Sequence, residues 1–155
     1  MVDLDDPALS GDLHAAIEQF YFAYRGFTDR PDRILERRGL GRVHHRILYF
    51  IGRRPDVSVR GLLDLLAVSK QALNAPLRQL MEMALVGVAV SPDDRRVKRL
   101  SLTESGRKLE AELTEAQSRH LRAAFDRAGA EATAGWKAVM GELVGVWAAH
   151  SLAPT

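Results

Sequence analysis

The sequence contains no cysteine, which excludes disulfides, thiolate metal sites, a cysteine nucleophile and a thiol redox sensor on chemical grounds alone. It lacks any apolar run near the roughly 20 residues that a membrane span needs. Its opening segment, Met1 to Asp6, is acidic where a secretory signal would be basic and then apolar. A cytoplasmic protein without a membrane partner is the expectation. Three catalytic signatures are also missing: a nucleophile elbow, a glycine-rich phosphate loop and a paired-histidine zinc helix. Neither an enzyme nor a cofactor is expected. Histidines are present, but His44 and His45 are adjacent and so point about 100° apart on a helix. His14, His120 and His150 are scattered, and no acidic cluster completes a metal set. Packed or hydrogen-bonded histidines are the better reading.

What is there is a chain of 155 residues with a net charge of +2, long enough to bury a core as one domain. The small net charge conceals an uneven distribution. Residues 40–108 carry thirteen Lys or Arg against six Asp or Glu, while the remainder carries nine against fourteen. A basic middle between acidic ends suggests a polyanion-binding module within a scaffold that has another task. A basic but merely solvated face is the plainer alternative.

Periodicity places the elements. Leu13, Ile17, Phe20, Tyr24 and Phe27 form an apolar stripe on a helix from about 11 to 27. Thr28 to Arg38, charged and containing Pro31, reads as a connector. Leu40, Val43, Ile47 and Ile51 mark a second helix that stops before Pro55. Ser58 can cap a short helix ending near Ala67, and Ser69 can cap another in which Leu73, Leu77 and Leu80 face the core while Lys70, Gln71, Asn74 and Arg78 point away. Two short helices joined by a tight turn make a helix-turn-helix, whose second helix can enter the major groove of DNA. Val86 to Val90 and Val97 to Leu102 read as a hairpin with Arg95 and Arg96 near its tip. Thr103 can cap a long helix to Gly129, and a last helix carries Trp136, Val139, Leu143 and Trp147 on one stripe to about His150. The fold class expected is therefore mainly α with a small two- or three-stranded β-wing.

Asp94-Arg95-Arg96, then Leu102-Thr103 and Gly106, stand at the intervals found in the MarR family of bacterial regulators, named for multiple antibiotic resistance, and Ser69 to Val86 is similar to that family's recognition helix. The chain resembles this family from about residue 11 to 150. The resemblance implies a single winged helix-turn-helix domain over 1–155, with the DNA-binding region at 40–108 and dimerisation helices at 11–38 and 110–150. It implies a homodimer on double-stranded DNA, with Arg96 reaching the minor groove and Asp94 supporting the wing. Long guanidinium side chains on a projecting hairpin are suited to that groove or its phosphates. On the recognition helix, Gln71 and Asn74 can pair with adenine edges and Lys70 and Arg78 can meet phosphate or guanine; Ser69 and Ala75 complete the candidate surface. Two residues depart from the family pattern. Pro76 cannot donate a backbone hydrogen bond, so a kink or a restart of the helix is expected there. Val88 stands where many relatives carry an arginine.

Phe20, Tyr24, His44 and Tyr49 concentrate rings in the first two helices. They read most simply as core and dimer interface. The resemblance adds a second reading, a pocket for a small aromatic ligand. A winged helix that binds protein rather than DNA is the alternative to the whole scheme.

Overall fold

The computed structural model describes residues 7–151, with side chains over 12–148. The acidic segment Met1 to Asp6 and the side chain of His150 lie outside the described residues. Among the described residues six helices and three strands follow in the order α1 (Pro7–Glu36), α2 (Arg42–Arg53), β1 (Val57–Ser58), α3 (Val59–Leu66), α4 (Lys70–Glu82), β2 (Val86–Val90), β3 (Lys98–Leu102), α5 (Glu104–Ala128) and α6 (Ala130–Ser151). No described helix is long and apolar enough to cross a membrane.

The expected break after residue 27 is absent, because α1 runs on through Pro31 to Glu36. Proline removes one intrahelical bond, but its ring is fully buried together with Leu35. Thr28, also buried, turns its hydroxyl back onto the carbonyl oxygens of Tyr24 and Arg25 at 2.9 and 3.3 Å. Burial of the last turns of α1 therefore outweighs the local cost of the proline. Pro76 gives a similar outcome: α4 is one continuous helix with no second start, held by the burial of Leu73, Leu77 and Leu80.

The predicted caps form where expected. Ser58 Oγ accepts from Gly61 N at 3.0 Å, Ser69 Oγ from Ala72 N at 3.1 Å and Thr103 Oγ1 from Gly106 N at 3.0 Å, each satisfying an N-terminal amide that the helix leaves unpaired. Between α3 and α4 the chain reverses on Ala67, which is left-handed at φ 51°. The sheet is antiparallel in the order β1-β3-β2. Leu100 sits opposite both Val57 and Val88, and Val86 opposite Leu102; Val86, Leu100 and Leu102 are buried, whereas Val88 is exposed.

The Leu-Thr-x-x-Gly pattern has a structural explanation. Thr103 N donates to Leu85 O at 3.1 Å, and its hydroxyl donates to Ala84 O at 2.6 Å. This draws the first turn of α5 against the end of α4, where a Cβ on Gly106 would collide with the Leu85 carbonyl. Only glycine fits there without a shift. The core then gathers Leu35, Ile47, Leu48, Leu62, Leu80 and Leu100 with Leu109 and Leu113 of α5.

Candidate nucleic-acid interface

The second helix of the motif, α4, presents two different faces. Leu73, Leu77 and Leu80 are buried, while Ser69, Lys70, Gln71, Asn74, Ala75 and Arg78 are exposed. Among the described residues, the side chains of Lys70, Gln71, Asn74 and Arg78 engage in no hydrogen bond or ion pair. Ser69 is different, since its oxygen already caps the helix; its hydroxyl proton is what it retains for a further acceptor.

At the wing, Ser91 N donates to Val97 O at 2.9 Å and closes the loop. Asp94 Oδ1 accepts from the backbone N of Arg96 at 3.0 Å and lies 3.4 Å from its Nε. The carboxylate thus braces the tip from within, through one local turn bond and one exposed ion pair. An exposed pair of that kind contributes only about 0–1 kcal/mol, and the Arg96 side chain remains 93% exposed. Arg95 beside it is exposed as well. Arg60 on α3 and Lys98 on β3 are further exposed cations that the motif reading omitted; they lie within the helix-turn-helix and the hairpin, but off the recognition helix and the wing tip on which that reading concentrated. Arg99 is anchored by a bond from its guanidinium to Asp56 O at 3.2 Å.

The four aromatic-region candidates do not share one cavity. A cleft of about 500 Å³ between α1, α5 and α6 is lined by Phe20, Tyr24, Phe125 and Trp136 among others. A second, of about 370 Å³, lies between α1, α2 and α5 and is lined by Tyr24, Asp32, Arg42, His45, Tyr49 and Phe50 among others. Tyr24 borders both and Tyr49 the second. His44 borders neither, because its ring turns toward α4 and meets Gln79 at 2.9 Å. Its neighbour His45 takes the place in the cleft, the 100° step between adjacent helical residues made visible. Burial lowers the pKa of His45, with Glu110 and Asp32 pulling it up and Arg46 adding to the lowering. Asp32 Oδ2 accepts from Arg42 Nε at 2.8 Å, which raises the arginine's pKa, whereas Oδ1 is buried and meets no donor. The Asp32–Arg42 pair escaped the sequence reading because Asp32 falls in the segment around Pro31 that reads as a connector. Among the described residues no three His, Asp or Glu side chains gather in a metal-binding group.

A family model described as the MarR family matches residues 38–97, the stretch from the end of α1 to the wing tip. The chain is 48% identical over 128 residues to the HTH-type transcriptional regulator PetP of Rhodobacter capsulatus, covering 83% of this chain and 77% of that protein. Its fold is similar to that of Streptococcus pneumoniae FabT, solved in complex with DNA, with a TM-score of 0.77 and 18% identity over 87% of this chain and 96% of that one. It is also similar to the MarR protein from Peptoclostridium difficile, with a TM-score of 0.75 and 15% identity over 88% and 90% of the two chains. The helix-turn-helix, the three-stranded wing and the close identity over most of the chain together establish that it belongs to the MarR family of winged helix-turn-helix transcriptional regulators.

Proposed function

We propose that this protein is a sequence-specific repressor that acts in the cytoplasm as a homodimer on a pseudo-palindromic operator. The observation that carries the reading is the polar face of α4: Lys70, Gln71, Asn74 and Arg78 are exposed, and among the described residues their side chains form no hydrogen bond or ion pair. Such side chains can meet base edges and phosphates without first breaking a contact. Arg95 and Arg96 at the wing tip supply a second point of attachment, suited to the minor groove. The dimer is supported by Leu13, Ile17, Phe20, Trp136, Val139 and Leu143, which are large, apolar and at least 44% exposed on α1 and α6. Exposed apolar stripes of that kind mark an interface. Two reading heads related by a two-fold axis then address half-sites about one helical turn apart. A small aromatic effector that enters one of the two clefts would act beside the helices that carry those heads.

The test is a fluorescence titration against duplexes tiled across the DNA upstream of its own gene and against scrambled duplexes, at several salt concentrations. Log affinity is expected to fall linearly with log salt, by about 0.9 per phosphate contact. Asn74→Ala is expected to lose about 1–3 kcal/mol on the preferred duplex and little on scrambled DNA. Lys70→Ala and Arg96→Ala are expected to weaken both. No preference for any pseudo-palindromic duplex would sink the reading and leave the protein-binding alternative.

A further inference from the structure

We infer that His44 is a positioning residue for DNA reading: through Gln79 its ring ties the recognition helix α4 to the α1–α2 turn and sets the rotation of the reading face. The inference rests on the DNA-binding reading above. His44 is 8% exposed. Its Nδ1 accepts from Gly41 N at 3.0 Å, so the ring proton sits on Nε2, which donates to Gln79 Oε1 at 2.9 Å. Gln79 Nε2 in turn donates to the carbonyl of Gly39 at 3.2 Å. The series starts at Gly41 and returns to Gly39, so the turn holds both ends of a polar clasp. Every group has one partner of the right kind, which fixes the histidine tautomer and the amide orientation together. Gly39 sits at φ 70°, a left-handed conformation that suits glycine and aims its carbonyl at α4.

The clasp is a directional tie made from within α4, whereas the Thr103 bonds to Ala84 O and Leu85 O hold the chain just beyond it. Leu73, Leu77 and Leu80 hold the helix by burial, and the hydrophobic effect is non-directional. It resists separation far more than rotation about the helix axis. A helix is about 10–12 Å across, so a turn of about 20° moves its outer face by about 2 Å, enough to spoil hydrogen bonds to base edges. Phosphate contacts, made by long flexible cations, tolerate such a shift better. A loosened clasp should therefore cost sequence preference before it costs general DNA affinity.

The two nitrogens of His44 can be separated by substitution. Asparagine places an oxygen near Nδ1, and glutamine places an amide nitrogen near Nε2. His44→Asn keeps the bond from Gly41 and drops the one to Gln79; His44→Gln does the reverse. The readout is the ratio of affinities for operator and scrambled duplexes, with the melting temperature alongside. His44→Asn is expected to lower the ratio about three- to tenfold, the scale of one neutral hydrogen bond, with the salt slope near wild type and a lowered melting temperature, as the loss of a buried bond requires. His44→Gln is expected to keep the ratio and melt lower. Gln79→Leu should reproduce the loss of His44→Asn, and the double variant should lose no more than either alone. An unchanged ratio in His44→Asn, an equal loss in His44→Gln, or additive losses in the double variant would overturn the inference. Should His44→Asn fail to fold, Gln79→Leu decides alone, a retained ratio counting against the clasp. A wild type with no operator preference would overturn the DNA reading and this inference with it.

Discussion

The winged helix and the helical ends treat similar apolar patterns differently. Leu62, Leu73, Leu80 and Leu100 are wholly buried, whereas Ile17, Phe20, Val139, Leu143 and Trp147 stay 52–66% exposed although they too follow helical spacing. Periodicity identifies which face of a helix is apolar; it does not identify what covers that face. In the winged helix the chain supplies the cover itself, from α2, α5 and β3. At the ends, α1 and α6 present their stripes outward, and a second copy is the cover we propose. The stability of the first region should thus depend on contacts within one chain, and that of the second on protein concentration.

Leu80→Ala strikes the self-covered region hardest. It is expected to cost about 2–5 kcal/mol in chemical denaturation, with no change in how the remaining stability varies with protein concentration; a loss under 1 kcal/mol would mean that the core is not where the burial pattern puts it. Leu143→Glu is the counterpart on α6. It should weaken the dimer by about 2–4 kcal/mol, the scale of a buried interface residue, and give a folded monomer in sedimentation. A dimer of undiminished affinity would break the contrast between the regions. Gly106→Ala returns to the winged helix, where the new methyl meets the Leu85 carbonyl. About 1–3 kcal/mol of destabilisation is expected, read as a lower denaturation midpoint. Ser69→Ala, which removes the cap of α4, should cost about 1 kcal/mol and should be visible as faster amide exchange in the first turn of that helix.

The smallest effect concerns pH and belongs to the boundary between the regions. His45 is held below its ordinary value of 6.5 by burial, so the folded chain binds that proton less readily than the unfolded chain. Stability is therefore fully present above about pH 6.5 and is lost as the pH falls toward the folded value. Melting curves of wild type and His45→Gln between pH 7.5 and 5.5 check this. The wild type should lose the larger share, and parallel curves would remove His45 as the source.

Local chemistry alone determined much of this protein. The caps at Ser58, Ser69 and Thr103, the wing between Val86 and Leu102 and the helix break at Gly129 are all legible, because each depends on a few neighbouring residues and their hydrogen bonds. The exposed candidates on α4 were legible too, since a three- to four-residue period separates them from Leu73, Leu77 and Leu80. Tertiary structure decided the rest. Pro31 and Pro76 lie within continuous helices because burial of their neighbours outweighs a lost backbone bond, an energy that no local rule contains. The short strand β1 exists because Leu100 lies opposite Val57 across a long stretch of chain. His44 faces α4 while His45 lines a cleft because packing set the rotation of α2, and adjacent residues on a helix cannot share a direction.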